Sequence, residues 1–206
     1  MRATGFVLES RLGSSAFGGI QSGVASANII GTTASGDDNM IVSRGSNVEI
    51  RGGTSNYNYV VGNRLGIDRA GLVVPGIHSG AGVFINEASW NTVGTNVIAN
   101  NISAGVKMSG STHNVVSGNA IGVLPGGVVI AGASQDYGVS IEAGSSENTV
   151  EYNLICKNVN AGVRLEGAGV SNNYIVSNTI GLQGAPNAKG VIIGDAVSLT
   201  FVTSSN

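Results

Sequence analysis

The stretch Glu147–Gly167, "ENTVEYNLICKNVNAGVRLEG", decides how the whole chain is read. Four asparagines, Asn148, Asn153, Asn158 and Asn160, alternate there with valine, leucine and isoleucine of the kind that fill protein interiors. An uncharged amide placed among core residues needs a partner, because a buried amide without a hydrogen bond costs several kcal/mol. A repeat supplies one, and the same arrangement recurs along the chain. Small-Val-x-aliphatic tetrapeptides occur as "GVFI" at Gly82, "GVKM" at Gly105, "GVSI" at Gly138, "GVRL" at Gly162 and "GVII" at Gly190. "NVEI" at Asn47 and "GIQS" at Gly19 are degraded copies.

Nine to eleven residues after most of these tetrapeptides comes Asn-x-[Val/Ile], at Asn58, Asn91, Asn114, Asn148 and Asn173. Five residues further on a second asparagine follows each time: Asn63, Asn96, Asn119, Asn153 and Asn178. Spacings between successive first asparagines are 33, 23, 34 and 25, so short and long units alternate. Each unit holds three short segments that alternate in residue type, as in Val139 and Ile141 against Ser140 and Glu142, the period of a strand with one buried face. Three strands of about four residues cannot bury a core alone, whereas stacked coils can, each covering the next. Stacking at about 4.8 Å also places like residues over one another, so that asparagine amides bond from coil to coil. Asparagine at a corner tolerates left-handed backbone angles as well.

Composition agrees with an all-β chain. Of 206 residues, 33 are glycine, 42% are apolar and only 11% are charged, while the residue types that dominate are those of strands and turns. A net charge of −2 and few aromatics leave no basic stripe for a nucleic acid. No apolar run of about 18 residues is present to cross a membrane, and "MRATGFVLESRLGSS" lacks the pattern of a secretory signal. Cys156 is the single cysteine, so no intrachain disulfide forms, and it reads as a thiol in a small-residue slot. The asparagines read as structural rather than as glycan acceptors, including Asn101 of "NIS".

The pattern Asn-x-[Val/Ile]-x-x-Asn-x-[Ile/Leu]-Gly followed by Gly-Val-x-Ile resembles the repeat of right-handed parallel β-helix proteins of the pectate-lyase-like superfamily. The alternating units are similar to the repeat arrays of bacterial surface and secreted proteins. The resemblance covers residues 24–206 and implies an all-β, single-stranded right-handed β-helix of about seven coils, with three short strands per coil. Residues 1–23 are expected to form a capping segment, as a strand or a short amphipathic helix. The resemblance also implies an extracellular or cell-surface location.

Stacking the Gly-Val-x-Ile strands gives two outward columns. One reads Phe84, Lys107, Ser140, Arg164, Ile192; the other reads Asn86, Ser109, Glu142, Glu166, Gly194. Coil spacing sets Glu142 about 5 Å from Glu166, with Arg164 and Lys107 beside them. Paired carboxylates of this kind can divide acid and base roles in glycosidic cleavage, and a cation beside them can steady a uronate. Glu142, Glu166, Arg164 and Lys107 are thus the candidate catalytic set, with a surface salt-bridge lattice as the alternative. The long units bulge at "IDRAGLVVPGIHSGA", "VLPGGVVIAGASQDY" and "LQGAPNAK", and are expected to wall a groove beside the same face. They bring Asp68, Arg69, His78, Asp136, Tyr137 and Lys189 as candidate substrate-binding residues. Trp90, Tyr57, Tyr59 and Tyr174 gather near the first-asparagine strand, where an exposed ring could stack on a sugar. His78 and His113 lie far apart in the repeat, and no metal or cofactor is expected.

Members of the resembling superfamily include lyases, hydrolases, epimerases, phage tailspikes and inert stalks. The aspartate cluster of calcium lyases, the Asn-Thr-Asp, Asp-Asp and Gly-His-Gly motifs of polygalacturonases and the Asp-Pro-x-Asp of epimerases are absent from the strands. The leading expectation is a non-catalytic surface module, carbohydrate-interacting or a spacer. A carbohydrate-active enzyme using Glu142 and Glu166 is the second expectation, and a tailspike-like fibre segment, which would be a homotrimer rather than a monomer, is the third.

Overall fold

In the computed structural model, which describes residues 20–23, 26–32, 34, 38–77, 79–195, 197 and 201–202, the chain winds through three parallel sheets in strict rotation. The first sheet contains Ile20–Gly23, Val48–Arg51, Ser79–Asn86, Asn101–Ser109, Tyr137–Glu142, Ala161–Glu166 and Val191–Ile193. The second contains Ile29–Gly31, Tyr59–Val61, Thr92–Gly94, Val115–Ser117, Thr149–Glu151, Tyr174–Val176 and Phe201–Val202. The third contains Met40–Ile41, Arg64–Leu65, Val97–Ile98, Ala120–Ile121, Leu154–Ile155 and Thr179–Ile180. With seven, seven and six strands, the described residues make six complete coils and two strands of a seventh. Parallel crossovers take the right-handed sense, and the solenoid is a right-handed parallel β-helix.

Register follows the repeat. Val83, Val106, Val139, Val163 and Val191 stand opposite one another in the first sheet, and "GIQS" pairs with "NVEI" through Ile20 and Val48. Residues 1–19 of the expected capping segment lie outside the described residues, and Ile20–Gly23 is a strand of the first coil. Inward positions form continuous apolar columns: Val48, Val83, Val106, Val139 and Val163 from the first sheet, Val60, Val93, Val116, Val150 and Ile175 from the second, and Ile41, Leu65, Ile98, Ile121 and Ile155 from the third. Each such side chain contributes about 1.5–3 kcal/mol on leaving water.

Amide ladders close the corners. In the first, Asn28, Asn58, Asn91, Asn114 and Asn148 each donate from Nδ2 to Oδ1 of the next, ending at Asn173, at 2.9–3.1 Å. The backbone N–H of each donor residue reaches the same oxygen. A second ladder runs Asn39, Asn63, Asn96, Asn119, Asn153, Asn178 at 2.9–3.0 Å. The sequence pattern did not disclose a third, in which Asn47 donates to Asn101, Asn101 to Gln135, Gln135 to Asn158 and Asn158 to Asn187. Asn101 is fully buried within it, so folding closes its sequon to a glycan.

The long-unit loops do not wall a groove over the first sheet. They connect the third sheet to the first and fold back on the outer face of the third, burying Ile67, Ala99 and Ile130 with Val73, Val97 and Leu124 in a small separate core. Val123, Cys156 and Ala185 pack beside Leu154 in another. Burial pushes the Cys156 thiol pKa up, as expected for an inert packing residue.

Candidate functional site

The first sheet brings the four charged residues of the two outward columns together. Registers pair Ser140 with Arg164 and Glu142 with Glu166 across adjacent coils, and Lys107 with Ser140 on the other side. Lys107 Nζ stands 3.0 Å from Glu142 Oε2, and Arg164 Nη2 is paired with Glu142 Oε1. Arg164 Nη1 also reaches Glu166 Oε2 at 2.9 Å, so one guanidinium bridges both carboxylates. The Ser140 hydroxyl donates to Glu142 Oε1 at 2.7 Å and accepts from Arg164 Nε at 3.2 Å.

Two rings floor the cations. Arg164 Cζ lies 4.3 Å from the centre of the Tyr137 ring, and its Nη1 donates to the Tyr137 hydroxyl at 3.4 Å. Lys107 Nζ sits 5.7 Å from the centre of the Phe84 ring. Both are cation–π geometries that hold the head groups in place. Beside them is an open depression of about 610 Å³ lined by Glu142, Arg164 and Glu166 together with Ala143, Gly144 and Gly167. One rung further along the first column stands Glu49, the neighbour of Phe84, bonded to Arg51 on its own strand.

Electrostatics fixes the charge states. Burial pushes the Glu142 carboxyl up, but hydrogen bonds from Ser140 and Lys107 and the charges of Lys107 and Arg164 outweigh it, holding the carboxyl below its ordinary pKa. For Arg164 burial acts downward, and the neighbouring Glu142, Tyr137 and Glu166 reverse it, so that its pKa is raised. Glu142 is thus an anion clamped by two cations and a hydroxyl. It makes a fixed charge rather than a proton donor near neutral pH.

Of the expected loop residues only Tyr137 joins this cluster, at the start of the strand Tyr137–Glu142. Asp68 caps its own turn by accepting the Leu72 N–H at 2.7 Å. Arg69 turns to the backbone carbonyl of Asp38 at 3.1 Å, beside the third sheet. The backbone carbonyls of Asp136 and Lys189 accept from Asn160 and Gly162 at the starts of first-sheet strands. His78 lies outside the described residues. Among the described residues no group of three or more His, Cys, Asp or Glu side chains could hold a metal ion, and no helix is long and apolar enough to cross a membrane.

A second cluster includes Tyr57 and Trp90, which the sequence placed near the first-asparagine strand. The column they form and its continuation through His113 and Glu147 escaped the sequence reading. The residue before each first-ladder asparagine takes a left-handed conformation: Ala27, Tyr57, Trp90, His113, Glu147 and Asn172, with φ between 53° and 60°. They form an outward column at the corner of the second sheet. The Tyr57 and Trp90 ring centres are 6.4 Å apart, those of Trp90 and His113 4.2 Å, and His113 Nε2 is 2.5 Å from Glu147 Oε2. The constant offset of one residue from each ladder asparagine was the available signal.

No protein-family model matches the chain, and no curated protein matches it in sequence. Among solved structures, the chain is similar to the periplasmic alginate epimerase AlgG at 15% identity and a TM-score of 0.45, over 88% of this chain and 44% of that one. A double mutant of the same enzyme is similar at 14% identity and a TM-score of 0.43, over 88% of this chain and 46% of that one. The chain spans less than half the length of these structures.

Proposed function

We propose that the chain is a non-catalytic β-helical module that contacts polysaccharide through the outer face of its first sheet. The carrying observation is the state of Glu142, held at once by Lys107, Arg164 and Ser140. A glycosidase acid must keep a proton near neutral pH, which requires a raised carboxyl pKa, and Glu142 is shifted the other way. Glu166 shares the same guanidinium. What this face offers a glycan is a rigid set of hydrogen-bonding charges beside an open depression floored by small residues.

The test is incubation with pectate, alginate and neutral polysaccharides while following reducing ends and ultraviolet absorbance, alongside affinity electrophoresis in gels containing each polymer. Retarded migration without bond cleavage is the expected result. Turnover that disappears in Glu142→Gln or Glu166→Gln would make the same residues an active site, and migration unaffected by every polymer would leave a spacer.

A further inference from the structure

The left-handed column at the second-sheet corner is occupied in an expensive way. A non-glycine residue with positive φ costs roughly 1–2 kcal/mol, and glycine or asparagine fills such a position more cheaply. Asn172 does so on its own coil. Three consecutive coils nevertheless place Tyr57, Trp90 and His113 there. The turn itself does not call for aromatic rings. Backbone strain combined with exposed aromatic surface is a pattern that points to use.

The surface is large for so aromatic-poor a chain. Tyr57 is 54% exposed and Trp90 49%, and Tyr59, two residues along on the second sheet, is 45% exposed. Ile29, the strand neighbour of Tyr59, extends the patch. The Tyr57 and Trp90 rings stack with centres 6.4 Å apart at 24°, and His113 lies closer against Trp90 at 4.2 Å. The half-exposed residues Tyr57 and Trp90 leave ring surface along the outside of the stack facing water.

Polar groups border the rings on every coil. On one side stand Asn56, Ser89 and Thr112, with the Ser89 and Thr112 hydroxyls 2.9 Å apart. On the other stands Thr92, the strand partner of Tyr59. Aromatic anchors of a protein interface gain their worth when a partner seals them from water. Ring surface edged by hydroxyls and a carboxamide instead matches a pyranose, whose C–H face lies on an aromatic ring while its equatorial hydroxyls reach sideways. The Glu147 carboxylate at the foot of the stack disfavours an anionic sugar.

We infer that Tyr57, Trp90 and Tyr59 form a stacking site for a neutral glycan, running along the helix axis and separate from the charged face of the first sheet. This inference deepens the polysaccharide-binding reading by adding a second contact and naming its sugar class. Trp90 is the only tryptophan in the chain, so its emission reports on this site alone.

Titration with neutral gluco-, manno- and galacto-oligosaccharides and with a uronate oligosaccharide is expected to give a saturable emission change with at least one neutral sugar and none with the uronate. Tyr57→Asn keeps a residue suited to the left-handed corner, so the fold is preserved, and it should weaken that response about tenfold. Trp90→Asn should weaken retardation in gels of the corresponding polysaccharide. Lys107→Ala with Arg164→Ala should leave the emission response in place. An unchanged Trp90 emission up to millimolar neutral sugar, with retardation retained, would overturn the stacking site and leave the module reading standing; no retardation by any polymer would remove both. An emission change that follows protein concentration instead of sugar would mean that a second copy covers the rings, and would equally overturn the site.

Discussion

Asn114 shows what a single residue does in this fold. Its Nδ2 donates to Asn148 Oδ1 and to the Ala88 and Thr112 carbonyls, and its Oδ1 accepts both the backbone N–H and the side-chain amide of Asn91. All of this happens at zero exposure. Asn114→Ala strips the acceptor from two buried donors, and each orphaned group costs about 1–3 kcal/mol. The expected loss is on the order of 2–5 kcal/mol, read as a lower urea midpoint at an unchanged slope. Asn28→Ala serves as the comparison, because Asn28 sits at the exposed end of the same ladder, where water replaces its partner. Its cost should stay below about 1 kcal/mol. Equal losses for the two variants would mean that the ladder acts through corner geometry rather than through buried bonding.

At the scale of the strand, the small residue that opens Gly-Val-x-Ile is set by the neighbouring coil. A Cβ on Gly138 would stand 2.5 Å from the Gly162 carbonyl oxygen and 2.3 Å from Ile155 Cγ2. Neither a strand carbonyl nor a fully buried isoleucine can withdraw without disturbing the next turn of the solenoid. Gly138→Ala is expected to cost about 1–3 kcal/mol, toward the upper end of what overpacking does. Gly190, in the same motif just before the first-sheet strand Val191–Ile193, meets nothing within 4 Å. Its replacement by alanine should shift the melting temperature little. The motif is one word in the sequence, but the demand for smallness exists only where another coil lies close against it.

Across the described residues, each coil pairs its strands only with those of its neighbours, so stability is close to a sum of coil and interface terms. Among the described residues, interior strands such as Asn101–Ser109 and Tyr137–Glu142 pair on both sides, whereas Val191–Ile193 pairs on one. Ile193 is 53% exposed, while Ile141 and Leu165 in the same column are fully buried. Amide hydrogen exchange should therefore be slowest between residues 79 and 166 and quicken toward Val191–Ile193. Uniform protection along the chain would mean that the solenoid opens as one cooperative unit.

By itself the sequence determined the architecture, the strand registers, two of the three amide ladders and the neighbours of Glu142. All of these depend on what recurs at a fixed offset, and a stack of like coils turns equal offsets into contacts. Tertiary structure decided what has no constant offset. The third ladder crosses connections of unequal length and substitutes Gln135 for asparagine, so no spacing announced it. The loops carrying Asp68 and Arg69 turn to the third sheet because Ile67 and Ile130 bury apolar surface there, which outweighs any preference of their polar side chains. The charge state of Glu142 followed from Ser140 and two cations arriving from adjacent coils at hydrogen-bonding distance, a matter of ångströms that a repeat pattern does not encode.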